Sequence, residues 1–183
     1  MSEKDFDLIC IGRSCVDLYS GEFGVPLERA MTFTKSVGGS PIGTSRLGLR
    51  VGAITGVGQE DNGRYLKWQL SCEGVDVSAV KTDSKRLTAM VLLSIRGDND
   101  FPLIQYRENC ADMGLTAEDI DPDYLARAGA VLVTGTHLSR EGVRSATMKV
   151  LETAKRLGLK CILDIDFRPN LWGLQGHDAG SSR

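Results

Sequence analysis

The amino-acid sequence predicts an α/β protein built on a mostly parallel sheet, and three features carry that expectation. Short apolar runs closed by glycine recur, as in Phe6–Gly12 (FDLICIG) and Val51–Gly58 (VGAITGVG); such runs suit strands buried on both faces. Further on, the apolar run Ala130–Thr134, a stretch of helical periodicity and the apolar run Lys160–Asp164 follow one another. This strand–helix–strand succession is a βαβ unit, whose strands run parallel with a right-handed crossover. Finally, 21 glycines in 183 residues exceed the average usage of about 7% and supply the tight turns of such a fold.

Each element follows from its own residues. Phe6–Gly12 is the first buried strand. Met31–Val37 (MTFTKSV) has β-type composition and ends at Gly38-Gly39. After the strand Val51–Gly58, Asp61–Glu73 reads as a helix with Tyr65, Leu66 and Leu70 on its apolar face and Gly74 as its stop. In Leu87–Ile95, the residues Leu87, Ala89, Val91, Leu93 and Ile95 alternate onto one strand face. Arg96–Asp100 (RGDND) is a turn by composition and Phe101–Arg107 returns as a strand, which makes a β-hairpin. Ser139 is a suitable N-cap for the next helix. There Val143, Ala146, Val150, Leu151, Ala154 and Leu157 repeat at helical spacing, Lys155 and Arg156 lie at the negative dipole end, and Gly158 stops the helix. Gly173–Arg183 is a polar tail that closes no element.

Composition excludes several classes. With 22 Lys+Arg against 24 Asp+Glu and a net charge of −2, the chain lacks the basic surface that displaces counterions from nucleic acid. No apolar run approaches the roughly 18 residues of a membrane span. The start, MSEKDFDLICIG, has no basic segment followed by a long apolar core, so a cytosolic protein without a signal peptide is expected. The five cysteines (Cys10, Cys15, Cys72, Cys110, Cys161) are odd in number, widely spaced and without a CxxC, and read as reduced thiols. Cys10 and Cys161 lie inside apolar runs and are expected in the core. His137 and His177 are too few and too isolated for a zinc site.

In an open parallel sheet, ligands bind beyond the carboxyl ends of the strands. That rule selects Arg13, Ser14 and Asp17 after the first strand. It selects Gly135, Thr136 and His137 after Ala130–Thr134, and Asp164, Asp166 and Arg168 after the last strand. Asp17 can accept hydrogen bonds from two sugar hydroxyls, or can simply cap a turn. Gly38-Gly39-Ser40 lets a backbone approach a ligand closely before a helix start with free N–H donors, or is an ordinary loop. Arg168, with Asp164 and Asp166, offers a fork to a carboxylate or phosphate, or forms an ion pair within its loop. No GxxxxGK[ST] occurs, so a P-loop enzyme is not expected. In Gly56-Val57-Gly58 the third glycine of the dinucleotide fingerprint is replaced by Asp61, which disfavours an NAD-dependent oxidoreductase. No GxSxG elbow is present.

These residues carry a resemblance. ICIGRSCVDLY from Ile9 to Tyr19, FTKSVGG from Phe33 to Gly39 and RLGLRVGAITGVGQEDNGRYL from Arg46 resemble the ribokinase (PfkB-type) family of sugar kinases. Tyr106–Asp112 (YRENCAD) and Leu163–Trp172 (LDIDFRPNLW) are similar to the members that act on 2-keto-3-deoxy sugar acids and in myo-inositol catabolism. The resemblance covers nearly the whole chain. It implies a ribokinase-like three-layer α/β/α sandwich with a small β-strand lid from about 17–37 and 87–107, which covers the sugar and forms a homodimer interface. It implies a transferase using ATP and Mg²⁺ to phosphorylate a hydroxyl of a small-molecule sugar or sugar acid. That substrate is expected to be 5-dehydro-2-deoxygluconate, with 2-keto-3-deoxygluconate or fructose as alternatives. Asp17, Gly38 and Gly39 would hold substrate hydroxyls, and Arg107 and Arg168 would approach the acid or keto end, with Asp164 and Asp166 in support.

Two departures from the family pattern stand out. Ser40-Pro41 passes directly to Ile42-Gly43-Thr44, a shorter run than the family's, without its substrate-binding Asn and with a damaged helix expected. Residues 1–183 correspond to the amino-terminal part of the kinase domain. The family's Mg-associated acidic motif, its glycine-rich anion hole and its catalytic Asp are not among them, so the 183 residues alone are expected to be inactive and no catalytic residue or metal ligand is assigned within them. A noncatalytic sugar-binding or dimerising fragment is the competing expectation.

Overall fold

The computed structural model describes residues 4–174. One sheet contains β1 (Phe6–Ile11), β4 (Val51–Gly58), β5 (Val80–Asp83), β8 (Ala128–Thr134) and β9 (Lys160–Asp164), in the order β5-β4-β1-β8-β9. All four of its pairings are parallel. A second sheet contains β2 (Cys15–Ser20), β3 (Phe33–Gly38), β6 (Met90–Leu93) and β7 (Leu103–Tyr106), in the order β3-β2-β6-β7. It is mixed: β2 pairs antiparallel with β3 and parallel with β6, and β6 and β7 form the hairpin.

Alternation along β1 sets the layers. Leu8 and Cys10 pack with Ile42, Leu66 and Leu70, so α1 (Ser40–Arg46) and α2 (Asp61–Cys72) cover one face of the parallel sheet. Ile9 and Ile11 pack with Leu125, Val143 and Val150, so α3 (Pro122–Ala126) and α4 (Glu141–Arg156) cover the other. The result is the expected three-layer α/β/α sandwich, with the second sheet as the β-strand lid. Its strands comprise residues 15–20, 33–38, 90–93 and 103–106.

The expected elements recur with shifted bounds. Strand pairing holds only Met90–Leu93 and Leu103–Tyr106 of the two longer hairpin runs; Leu87 is 68% exposed outside the ladder. Ser139 does not cap α4: its hydroxyl donates back to the Thr136 carbonyl at 2.7 Å, and Arg140 stands at the N-cap. Leu157, expected on the apolar face, is the C-cap and is exposed. Cys10 is buried as expected, but Cys161 is exposed, because β9 is the outer strand of the sheet among the described residues and all five of its residues are exposed. β2, β5 and α3 were not anticipated. The shortened run after Gly39 does not lose its helix: Ser40–Arg46 completes seven helical residues, with the Leu47 N–H reaching the Gly43 carbonyl. Most of the tail from Gly173 lies outside the described residues.

Candidate functional site

β1 ends at Ile11, and the chain turns through Gly12–Ser14 directly into β2. This puts Asp17 in the lid sheet, opposite Ser36, while Cys15 pairs with Gly38 at the end of β3. Asp17 and the two glycines therefore meet. A Cβ on Gly38 would lie 2.5 Å from Asp17 Oδ2, so the carboxylate occupies the space that a side chain would fill. Gly39 has φ +139°, and a Cβ there would stand 3.1 Å from both the Arg13 carbonyl and Ser14 Oγ. Both positions require glycine, one for space and one for backbone conformation as well. The Cys15 thiol donates to Asp17 Oδ1 at 2.9 Å. Burial, then the nearby Asp17 carboxylate, pushes that thiol up to about 12, so it stays protonated.

The helix start after Gly39 offers fewer donors than expected, because Pro41 occupies its first turn and carries no N–H.

Arg13 ties this corner to the rest of the edge. Burial works against its charge, but Cys15, Asp166, Asp17 and Asp112 around it outweigh burial and raise it above its ordinary value. The edge rule selected Arg13, yet nothing in the sequence marks it as the cation shared by three separate chain segments.

Arg107 is 4% exposed and is gripped by Asp112, which is fully buried. Nε donates to Oδ2 at 2.7 Å, and Nη2 stands 2.6 Å from the same oxygen. His137 Nε2 lies 3.6 Å from that oxygen as well. Burial alone would raise the Asp112 carboxyl, but Arg107 and His137 hold it at about 2. Burial pushes His137 below its ordinary value, so it is neutral at pH 7. Nη1 of Arg107 has no hydrogen-bond partner among the described residues.

Arg168 instead turns to Asp166 at 2.8 Å and is half exposed, which is the within-loop ion pair. Asp164 accepts from the Asp166 N–H at 3.1 Å. The structure thus joins Asp17, Gly38 and Gly39 in one corner and Asp164, Asp166 and Arg168 in one loop, with Arg13 between them. Asn170, which sequence reasoning missed, donates to Gln105 Oε1 at 3.2 Å and fastens this loop to lid strand β7. Its signal lay only in the LDIDFRPNLW resemblance.

Two cavities flank Arg107. One of about 300 Å³ includes Gln105, Asn109, Ser139, Arg140 and Asn170 in its lining. The other, about 710 Å³, includes Glu60, Arg86, Thr88, Ile104 and Tyr106. Neither is lined by Asp17, Gly38 or Gly39. Among the described residues no three His, Cys, Asp or Glu side chains converge as a metal site, so the residues present do not fit a resident Mg²⁺.

A glycine-lined carboxylate on a lid strand, beside the carboxyl edge of a parallel sheet, defines a sugar-kinase type of α/β fold. The profile of the pfkB family of carbohydrate kinases matches residues 5–179, and the chain belongs to that family. It is 40% identical over 175 residues to a 5-dehydro-2-deoxygluconokinase of Geobacillus kaustophilus, covering 93% of this chain and 52% of that protein. A 5-dehydro-2-deoxygluconokinase of Halalkalibacterium halodurans is 36% identical, with 93% and 53% covered. The chain therefore spans about half the length of the curated relatives it matches. Among solved structures, a PfkB protein from Polaromonas sp. JS666 superposes with a TM-score of 0.85 at 29% identity, covering 91% of this chain and 58% of that one.

Proposed function

We propose that these residues form the sugar-binding half of an ATP-dependent carbohydrate kinase, whose acceptor is 5-dehydro-2-deoxygluconate in myo-inositol catabolism. The observation that carries the reading is the Asp17–Gly38–Gly39 corner, in a chain 40% identical to a protein of that name. Asp17 accepts hydrogen bonds from two hydroxyls, while the bare backbone of Gly38 and Gly39 lets the sugar ring approach. Arg107 and Arg168 stand toward the acid or keto end, with Asp164 and Asp166 holding the Arg168 loop. The lid sheet excludes water from the acceptor and pairs with a second copy in a cytoplasmic homodimer. Phosphoryl transfer rests on positioning and charge neutralisation. In the complete kinase ATP would supply the transferred group and Mg²⁺ would balance its charge.

A fructokinase reading is the alternative within the family, favoured by the fructokinase of Halothermothrix orenii, which superposes with a TM-score of 0.80 at 28% identity. The test joins residues 1–174 to the second half of the Geobacillus kaustophilus relative and measures ADP release with 5-dehydro-2-deoxygluconate, 2-keto-3-deoxygluconate and fructose. The proposal expects the highest kcat/KM for the first, and equal or better use of fructose would replace it.

A further inference from the structure

From the geometry at the end of β1 we infer that Arg13 is a specificity-determining residue, whose guanidinium donates to the keto oxygen of the sugar acid while a neighbouring hydroxyl of that sugar donates to Asp17; this rests on the sugar-acid reading above.

Arg13 and Asp17 flank the paired glycines. The Arg13 carbonyl lies 3.1 Å from where a Gly39 Cβ would stand, as Asp17 Oδ2 lies 2.5 Å from that of Gly38. The two side chains are opposite in charge and within electrostatic reach of each other, yet no ion pair or hydrogen bond joins them. The Cys15 thiol holds Asp17 by Oδ1 alone, which leaves Oδ2 free to accept. Arg13 makes no side-chain hydrogen bond or ion pair with any described residue. Its nitrogens, unlike Nη1 and Nη2 of Arg107, are not sealed from solvent, and the residue as a whole is part-exposed. A purely structural cation would be bonded to the carboxylates it neutralises, and Arg13 is bonded to none of them. A donor-only group and an acceptor-only group thus stand near one another with their hydrogen-bonding capacity unused.

The surroundings decide which acceptor Arg13 takes. Asp166, Asp17 and Asp112 all place negative charge around it. Arg168 pairs with Asp166 and Arg107 with Asp112, so Arg13 is the cation left to face Asp17. A second full anion on Arg13 would lie against the Asp17 carboxylate, and like charges at short range repel. A carbonyl oxygen has no net charge and only accepts, so it satisfies the guanidinium without that repulsion. A hydroxyl beside the carbonyl donates to Asp17. The two residues together therefore read a hydroxyl next to a keto group. A polyol is a poorer match, because the hydrogen of its second hydroxyl has to turn away from the cation.

The experiment measures thermal stabilisation of the 183-residue chain by 5-dehydro-2-deoxygluconate and by 2-deoxygluconate, which has a hydroxyl in place of the keto oxygen. Both compounds carry the same carboxylate, so every contact to that group cancels in the comparison. A ligand that binds only the native state raises Tm according to its concentration relative to Kd, so weak binding is detectable at high concentration. The keto acid is expected to give the same rise at a several-fold lower concentration than the hydroxy acid. Arg13→Met removes the donors and keeps an unbranched side chain. It is expected to weaken the keto acid about tenfold or more and the hydroxy acid less, so that the preference disappears. Arg13→Lys keeps the charge without the planar fork and is expected to retain only part of the preference; it carries the comparison should Arg13→Met fail to fold. No stabilisation by either compound, no preference in the unsubstituted chain, or the full preference retained in either variant would each overturn the assignment. The kinase reading is separable from it. A chimera whose kcat and KM for 5-dehydro-2-deoxygluconate are unchanged by Arg13→Met removes Arg13 from the substrate and leaves the activity in place, whereas a chimera inactive on every sugar acid removes the reading and this assignment with it.

Discussion

Gly38 and Asp17 show how one missing methyl group shapes a site. The Asp17 carboxylate lies where the Gly38 Cβ would be, 2.5 Å from Oδ2, and the pair is fixed by strand pairing between β2 and β3. Gly38→Ala is therefore expected to turn the carboxylate away, while Asp17→Asn keeps its shape and weakens its acceptor strength. Each should lower sugar affinity about ten- to a hundredfold, the worth of a hydrogen bond to a charged group. Calorimetric titration of the chimera with sugar checks this, and an unchanged affinity in Asp17→Asn would place the acceptor elsewhere. The Arg107–Asp112 pair makes a different prediction. Asp112→Ala leaves a buried guanidinium without its counter-charge and should destabilise the fold by about 3–5 kcal/mol, read from the urea midpoint. Its pH dependence has two windows. The Asp112 carboxyl is lowered from 3.8 to about 2 on folding, so it stabilises the native state above about pH 4 and loses that contribution as pH falls toward 2. His137 is pushed below 6.5 by burial. Below that pH the unfolded chain takes up a proton that the native chain refuses, so stability also falls from about pH 6.5 downward. His137→Gln should remove the upper window and keep the lower one.

At the scale of elements, the helices covering the parallel sheet and the exposed outer strand behave oppositely. Leu66 and Leu70 of α2 are fully buried against β4. Leu66→Ala should cost about 2–5 kcal/mol through lost burial and the cavity left behind. On β9, Ile162 is 46% and Leu163 57% exposed, and Ile165 just beyond it is 72% exposed. An apolar outer strand invites edge-to-edge pairing between copies. Leu163→Lys should leave Tm within about a degree or two, since exposed substitutions rarely exceed ~0.5 kcal/mol, and should markedly reduce light scattering of the concentrated 183-residue chain. A large loss of Tm in that variant would show that Leu163 is packed in solution. The lid is joined to the sandwich by short polar links: the Gly58 N–H donates to Thr88 Oγ1 at 2.9 Å, and the Thr88 N–H donates to Glu60 at 3.0 Å.

For the whole molecule, the decisive quantity is how much of a kinase these residues contain. They span about half of the curated relatives, and among the described residues no acidic cluster is ready to hold a cation. Catalysis of phosphoryl transfer is positioning plus electrostatics. The 183-residue chain alone, given ATP, Mg²⁺ and a panel of sugars and sugar acids, should therefore release no sugar-dependent ADP. Release above background would place the nucleotide site within these residues. Light scattering of the chimera with and without lid substitutions such as Phe33→Glu tests the proposed lid-to-lid dimer, since Phe33 is 38% exposed on β3.

Periodicity and glycine placement determined the parallel core by themselves. β4 has the predicted bounds, and the apolar face of α4 packs Val143, Ala146, Val150 and Ala154 against the sheet as read. These elements were readable because their burial is set by local patterns: short apolar runs, a 3.6-residue repeat and a glycine stop. Asp17, through the rule that ligands bind beyond the carboxyl ends of parallel strands, and Gly38-Gly39, as paired glycines before a helix start, were singled out from the sequence too, and β2–β3 pairing brings them together. Only the tertiary structure decided the rest. β2, CVDLYS, shows no alternation to read, because Cys15 and Val16 are both buried at its start and the strand grows more exposed toward Ser20. Cys161 has the neighbours of a core residue and is nonetheless exposed, because exposure depends on which strand lies outermost, a property of sheet order and not of the run itself. The grouping of Arg13 with Asp17, Asp112 and Asp166, and of Arg107 with Arg140, joins residues far apart in sequence. Such groupings arise from the parallel crossovers that bring every strand's carboxyl end to one edge, where no local pattern records which side chains meet.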